Sequence, residues 1–224
     1  MSGACQPEKN SVEQMFSAFA SECVANSHET TSEPVVVRDV MRGRPILAMH
    51  IDVTPDQLLG AAARCRIMEL SNEVYPLGSI PDWAGTMQWA PKTIHTMVWN
   101  EGLLVCHVGA LVRDVIIDGH LMQVGGIGGV MTAPAARRRG HARAALAAMG
   151  RYLIDDQQVS FFLLFCPADL YAFYEHLGWQ SFKNAPVVDQ GSKRVQLTFC
   201  RTMVRDGKEI APASGILDLR GPPW

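Results

Sequence analysis

VGGIGGVMTAPAARRRGHARAALAAM, residues 124–149, is the stretch on which the reading of this chain turns. It reads as a glycine-rich strand, a basic turn and an alanine-rich helix. The turn Arg137-Arg138-Arg139-Gly140-His141-Ala142 opens straight into that helix. The first N–H groups of a helix have no partner within it, and the aligned peptide dipoles put partial positive charge there. Three arginines and a glycine at such a point describe either a seat for a phosphate-bearing ligand or a solvated basic cap.

Upstream lies an antiparallel meander: a strand at 93–99, the turn Asn100-Glu101-Gly102, a strand at 103–117, the turn Asp118-Gly119, and the glycine-rich strand 120–132. Asp-Gly between β-branched runs is a strong hairpin signal, because both positions must tolerate positive φ. Downstream, the helix 141–154 gathers Ala142, Ala145, Leu146, Met149, Tyr152 and Leu153 on one face. The apolar run 159–166 (VSFFLLFC) suits a strand buried on both faces. Pro167 opens a second helix with Leu170, Phe173, Tyr174 and Leu177 at helical spacing, and Gly178 closes it. Residues 179–182 and 195–200 read as two more strands. Nearer the start, 45–53 reads as the first strand. Thr54 and Pro55 then read as N-cap and first residue of a helix running to about 74, with Leu58, Leu59, Ala62, Cys65, Ile67 and Leu70 inward. Residues 75–92 form an irregular stretch holding Trp83 and Trp89. Residues 1–44 read as an N-terminal extension with one amphipathic candidate helix at 12–24, and 45–224 as the main domain.

Composition sets bounds. Apolar residues make up 48% of the 224, enough for a substantial core. No apolar run approaches the roughly 18 residues a membrane span needs, and residues 1–10 lack the order of a signal peptide, so a cytoplasmic protein without a membrane partner is expected. The six cysteines are scattered, which argues for thiols rather than a disulfide framework or zinc site. The histidines show no ligand spacing, so no metal is expected. A net charge of −2 gives no reason to expect nucleic acid.

Two motifs stand in a telling order. Arg137-x-x-Gly140-x-Ala142 is followed by Phe173-Tyr174-Glu175-His176-Leu177-Gly178-Trp179. Over about 45–200 the chain resembles the GCN5-related N-acetyltransferase (GNAT) superfamily, whose phosphate turn and later aromatic signature have these patterns. The fold this implies is α+β: a mixed, mostly antiparallel sheet of six or seven strands with helices on both faces. Within the superfamily the chain is most similar to the aminoglycoside 2′-N-acetyltransferases. The likeness rests on Asp82-Trp83 and on Leu219-Arg220-Gly221-Pro222-Pro223-Trp224. A weaker likeness, at residues 107–111, is to rhizobial acyltransferases that N-acylate chitin oligosaccharides. Gly128 falls where the aminoglycoside enzymes carry a glutamate, Leu77 where they carry an aspartate, and Phe165 or Cys166 where they carry a serine.

The resemblance implies acetyl-CoA as cofactor and direct acetyl transfer to a primary amine of a small molecule, an aminoglycoside or amino sugar among the options. Arg137, Arg138, Arg139, Gly140, His141 and Ala142 would cradle the pyrophosphate. Val130, Met131 and Thr132 would line the pantetheine, with an N–H there polarising the acetyl carbonyl. Tyr174 would be the general acid, although its spacing also suits a core tyrosine. Asp82, Trp83, Gly128 and Trp224 would face the acceptor. The general base stays open among Asp82, His107, His120, Glu175 and a terminal carboxylate on Trp224. Cys166 reads better as a structural thiol than as a nucleophile. A homodimer is expected from the likeness alone. The alternatives are a longer acyl donor, a non-sugar amine, or a silent acyl-CoA-binding module.

Overall fold

The computed structural model describes residues 37–38, 45–46, 49–76, 79 and 85–224. The amphipathic candidate at 12–24, Leu77, and the pair Asp82 and Trp83 lie outside the described residues. Strands β1 (Val37–Arg38) and β2 (Pro45–Ile46) form a small antiparallel pair of their own. The main sheet has ten strands: β3 (His50–Pro55), β4 (Ile94–Asn100), β5 (Leu103–Ile117), β6 (His120–Thr132), β7 (Phe161–Cys166), β8 (Gln180–Ser181), β9 (Val187–Gln190), β10 (Lys193–Gln196), β11 (Arg201–Asp206) and β12 (Leu217–Asp218).

Strand order is β10-β9-β12-β5-β6-β7-β11-β8, with β4 and then β3 joined to the remaining length of the β5 edge. The meander forms as its turns dictate: Glu101 and Gly102, then Asp118 and Gly119, all have positive φ. Strand β6 pairs antiparallel with β5 and parallel with β7. Helix α2 (His141–Asp155) makes the crossover a parallel pair requires. Helix α1 (Ala61–Val74) and the five-residue α3 (Tyr171–Glu175) complete the described helices.

Alternation along β7 shows how the layers divide. Phe162 and Leu164 join Ala145, Leu146, Met149 and Leu153 of α2 in one core. Phe161 and Leu163 join Leu111, Val115, Leu217, Leu219 and Trp224 in another. A third cluster sets Leu70 of α1 against Met97, Leu104 and Met131. Helices therefore cover both faces, and the chain from β12 onward shares a face with α1. Trp224 is 4% exposed there.

The departures from expectation have local causes. Thr54 and Pro55 end β3, opposite His95 and Ile94, instead of opening a helix. Proline is tolerated at such an end because it has no N–H to pair. Asp56 then donates its N–H to the Thr93 carbonyl, and α1 starts at Ala61 behind Gly60. Of the residues expected inward there, Leu59 and Leu70 are buried and Leu58 is exposed. The strand expected at 195–200 resolves into β10 and β11: Gly191 (φ 61) turns the β9–β10 hairpin, and Thr202, Met203 and Val204 are buried beside β7. These short strands raise the count above six or seven. Cys65 is disulfide-bonded, so among the described residues the expectation of thiols holds for Cys106, Cys166 and Cys200.

The glycines of β6 are explained by what they touch. A Cβ on Gly126 would lie 2.3 Å from the Trp224 indole, which Phe165 and Arg113 hold in place at ring distances of 5.2 and 5.3 Å. At Gly60 an added Cβ meets nothing within 4 Å. Gly126→Ala is therefore expected to lower stability by about 1–3 kcal/mol through overpacking, and Gly60→Ala by far less. Urea midpoints of the two variants check this; equal midpoints would contradict the seat.

Candidate functional site

Pairing between β6 and β7 runs from Val124–Phe161 to Ile127–Leu164 and stops. Both strands continue, β6 to Thr132 and β7 to Cys166. A parallel pair that parts in mid-strand leaves N–H and C=O groups on the inner edges without ladder partners, and such groups need a partner from somewhere. On its other edge β6 bulges: Gly109 faces Gly128 and His107 faces Met131, so β6 holds one extra residue at Gly129–Val130. Gly129 has φ 56, a conformation glycine adopts without strain. Val130, Met131 and Thr132 lie beyond the last β6–β7 pair, and the Thr132 hydroxyl donates to the Cys106 sulfur at 3.3 Å.

Beyond Thr132 the chain makes a short turn, Pro134–Ala136, and reaches the basic segment. Arg138 (φ 61) and Gly140 (φ 84) are left-handed, which curls this backbone before α2 begins at His141. Among the described residues the N–H groups of Arg138 to Ala142 have no backbone partner. Successive free N–H groups at a helix start form a concavity for an anion. Arg137, Arg138 and Arg139 are exposed around it, and Arg137 Nε donates to the Thr132 carbonyl at 3.3 Å. His141 is buried, under the turn rather than in it.

Tyr174 is 5% exposed and packs edge-on against Phe173 and Trp179 at 5.0 and 6.0 Å. Its helix is shorter than its spacing suggested, and Leu170 and Phe173 of the same stripe are 42% and 39% exposed. The electrostatic neighbours of the Tyr174 hydroxyl are Cys166, Tyr75 and Cys106, which puts it between the end of β7 and the β5–β6 side of the gap. Burial, then these neighbours, raises its pKa, so the phenol keeps its proton. Among the described residues that hydroxyl makes no hydrogen bond. The tyrosine is both core residue and a polar group at the gap.

On the opposite face, Gly128 has no room for a side chain. A Cβ there would lie 2.8 Å from Lys92 Cε and 3.2 Å from the Trp224 carbonyl carbon. Lys92 also crosses Gly109, where a Cβ would meet its Cγ at 2.6 Å, and its Nζ donates to the Ala90 carbonyl at 3.3 Å. Burial, helped by the charge of Arg113, pulls the Lys92 pKa down to about 8. The volume a strand glutamate would fill thus holds an ammonium group.

The carboxyl group of Trp224 stands beside Gly128, whereas two other candidates for a base lie elsewhere. His120 sits at the β5–β6 turn, at the far end of β6, and Glu175 is exposed on α3. Burial, then Asp169, pushes the Cys166 thiol up to about 11, which fits a structural thiol. Two open clefts of about 390 and 570 Å³ also lie around the β5–β6 turn, away from the gap. Among the described residues no group of three His, Cys, Asp or Glu side chains is placed to hold a metal. His107 is buried and hydrogen-bonded to His95, which faces Asp56. Sequence reasoning missed Lys92, His95 and Asp56 as members of this neighbourhood, since each comes from a different segment. Only the pairing register brings them together.

The β6–β7 pair parts after its parallel crossover, and an anion-type turn stands at the opening. A family model described as "Acetyltransferase (GNAT) domain" matches residues 65–182, more than half of the chain. The chain belongs to this family. It is an N-acetyltransferase and acetyl-CoA is its cofactor. Its fold is similar to that of ElaA from Escherichia coli (17% identity, TM-score 0.51, covering 70% of this chain and 99% of that one). It is also similar to that of an acyl-CoA N-acyltransferase from Pseudomonas aeruginosa (16% identity, TM-score 0.50, covering 70% and 99%). No curated protein sequence matches the chain.

Lys92 makes stability depend on pH. Between about pH 8 and its ordinary 10.5, the unfolded chain holds a Lys92 proton that the folded chain has lost. Stability therefore rises with pH through that window. Below it, the folded protein bears the cost of a desolvated charge. Lys92→Met is expected to be more stable than the wild type at pH 7 and to lose part of the rise between pH 8 and 10.5. Urea denaturation at pH 7 and pH 10 measures both.

Proposed function

We propose that the enzyme transfers acetyl from acetyl-CoA to a primary amine of a small molecule, directly and within a ternary complex. The observation that carries this reading is the parted edge of β6 lying between the Arg138–Ala142 concavity and the buried Tyr174 hydroxyl. When bound, acetyl-CoA supplies the activated thioester and a thiol leaving group. The N–H groups of Arg138 to Ala142 and the charges of Arg137, Arg138 and Arg139 hold its pyrophosphate. The inner edge at Val130, Met131 and Thr132 pairs with the pantetheine, and the Val130 N–H stabilises the charge that develops on the thioester oxygen. Tyr174, kept protonated by burial, returns a proton to the departing thiolate.

Acceptor chemistry follows from the face holding Gly128, Lys92 and Trp224. Trp224 keeps its proposed acceptor role through its carboxyl group beside Gly128, while its indole is packed in the core with the Nε1–H buried and without a partner among the described residues. Lys92 stands against a polycation at the same spot, so an amine of low charge suits the site better than an aminoglycoside, which stays in the test panel. Asp82 and Trp83 keep their proposed acceptor role on the resemblance alone. A homodimer and a cytoplasmic setting are likewise proposals. Among the described residues no helix is long and apolar enough to cross a membrane.

Calorimetry with CoA is expected to show binding weakened roughly tenfold in Arg137→Ala by loss of a charge-assisted contact. Unchanged binding would remove the turn from the site. Thiol release from acetyl-CoA across a panel of amines, 2′-amino aminoglycosides included, identifies the acceptor. With the best amine, Tyr174→Phe is expected to lower turnover on the order of 10²-fold while CoA binding holds. Turnover equal to the wild type would leave Tyr174 as packing only.

A further inference from the structure

Asp56, His95 and His107 stand apart from the coenzyme contacts, yet they form one hydrogen-bonded line that ends at the bulge of β6. Arg64 of α1 donates from Nη1 to Asp56 Oδ1 at 2.7 Å, and from Nη2 to the Asp56 carbonyl at 2.6 Å. Asp56 Oδ1 faces His95 Nε2 at 3.1 Å. His95 Nδ1 faces His107 Nε2 at 3.0 Å, and His107 Nδ1 faces the Gly129 carbonyl at 2.9 Å.

Counting hydrogens along the line gives its state. A carbonyl only accepts, so His107 Nδ1 carries the hydrogen. His107 is fully enclosed and burial drives its pKa down to about 3, so it is neutral and its Nε2 accepts. His95 Nδ1 must then donate. A neutral His95 would turn its Nε2 lone pair onto the Asp56 carboxylate, which is held ionised chiefly by its hydrogen bond from Arg64. Every link is satisfied only when His95 carries a second hydrogen. If that proton leaves, the line reverses: the carboxylate keeps Nε2–H, His95 accepts from His107, and His107 turns a lone pair on the Gly129 carbonyl. The break falls at the bulge.

The Gly129–Val130 peptide is trans, so the Val130 N–H points opposite to the carbonyl that His107 holds. We propose that His107 is a positioning residue for acetyl transfer, which clamps this peptide so that the Val130 N–H stays aimed at the thioester carbonyl. One proton stored between His95 and Asp56 keeps the clamp closed. The role rests on Val130 serving as the donor to that carbonyl. Burial, joined by the charges of Arg64 from α1 and Lys92 from the segment before β4, lowers the His95 pKa, while Asp56 pulls the other way and favours the stored proton. The clamp therefore opens as pH rises through values below the ordinary 6.5 of histidine.

Nitrogen-15 spectra of the imidazoles in the unliganded full chain test the line without any turnover. At pH 5, His107 is expected as the Nδ1–H tautomer and His95 as the doubly protonated form, the latter lost in Asp56→Asn. Thiol release from acetyl-CoA, with water or the best amine as acceptor, tests the role. Asparagine places an amide N–H near the position of Nδ1, so His107→Asn should retain the rate and lose its fall at higher pH. His107→Leu and His107→Gln should be slower by about 10- to 100-fold, somewhat less than removal of an oxyanion donor. Calorimetric affinity for CoA should stay within about threefold in all three. An Nε2–H tautomer of His107 at pH 5, a folded His107→Asn as slow as His107→Leu, or a His107→Leu as fast as the wild type would each overturn the proposal. A wild type that bound CoA but released no thiol would sink acetyl transfer and the positioning role with it. The imidazole spectra would still decide whether the hydrogen-bonded line exists.

Discussion

A parallel pair that ends after four residues imposes the condition on which this structure depends. Residues 124–127 of β6 are satisfied on both edges, and beyond Ile127 the edge facing β7 has nothing to pair with. Burying unpaired backbone is costly, so the opening has to be lined by groups that keep it accessible or fill it with a ligand. Everything assigned to acetyl-CoA sits on the rim of that opening: the bulge, the basic turn and Tyr174.

The two faces of β6 solve opposite problems. Toward α2, Gly125 lets Leu153 and Phe162 come close. Toward the tail, Gly126 and Gly128 accept Trp224 and Lys92. Glycine there gives up side-chain packing and β propensity in the strand, and the loss is offset by a buried indole that spans the sheet face. A carboxylate on this strand would have to displace both neighbours. The lack of a side chain at position 128 thus goes with how the chain after β12 is stored, and the Lys92 side chain takes the space beside it.

Local signals carried the reading of the fold where local physics decides it. The turns at Asp118-Gly119 and Glu101-Gly102, the helix from His141, the apolar run of β7 and the Gly178 cap were all legible, because φ sign and periodicity are properties of short segments. The order of two motifs then gave the family. What escaped was non-local. Thr54-Pro55-Asp56 has good helix-start chemistry, but edge pairing with β4 outcompeted it. Strand β10 of the β9–β10 hairpin is exposed along its length and mostly polar, which leaves no alternation to read. His95 and His107 lie twelve residues apart on neighbouring strands, and no spacing rule predicts that their rings meet.

The bulge at Gly129 also sets the phase of the strand. In a regular strand alternate residues share a face, so Val124, Gly126 and Gly128 lie toward the tail. The extra residue reverses that count, and Met131 turns to the α1 side with Met97 and Leu104. Deleting one residue at this point would restore regular alternation and keep Met131 opposite His107, but would remove the bulge that presents the Gly129 carbonyl to His107. A single-residue change of length between Gly128 and Thr132 thus alters the course of this edge, whereas the same change between Val124 and Gly128 would turn the side chains beyond it to the other face.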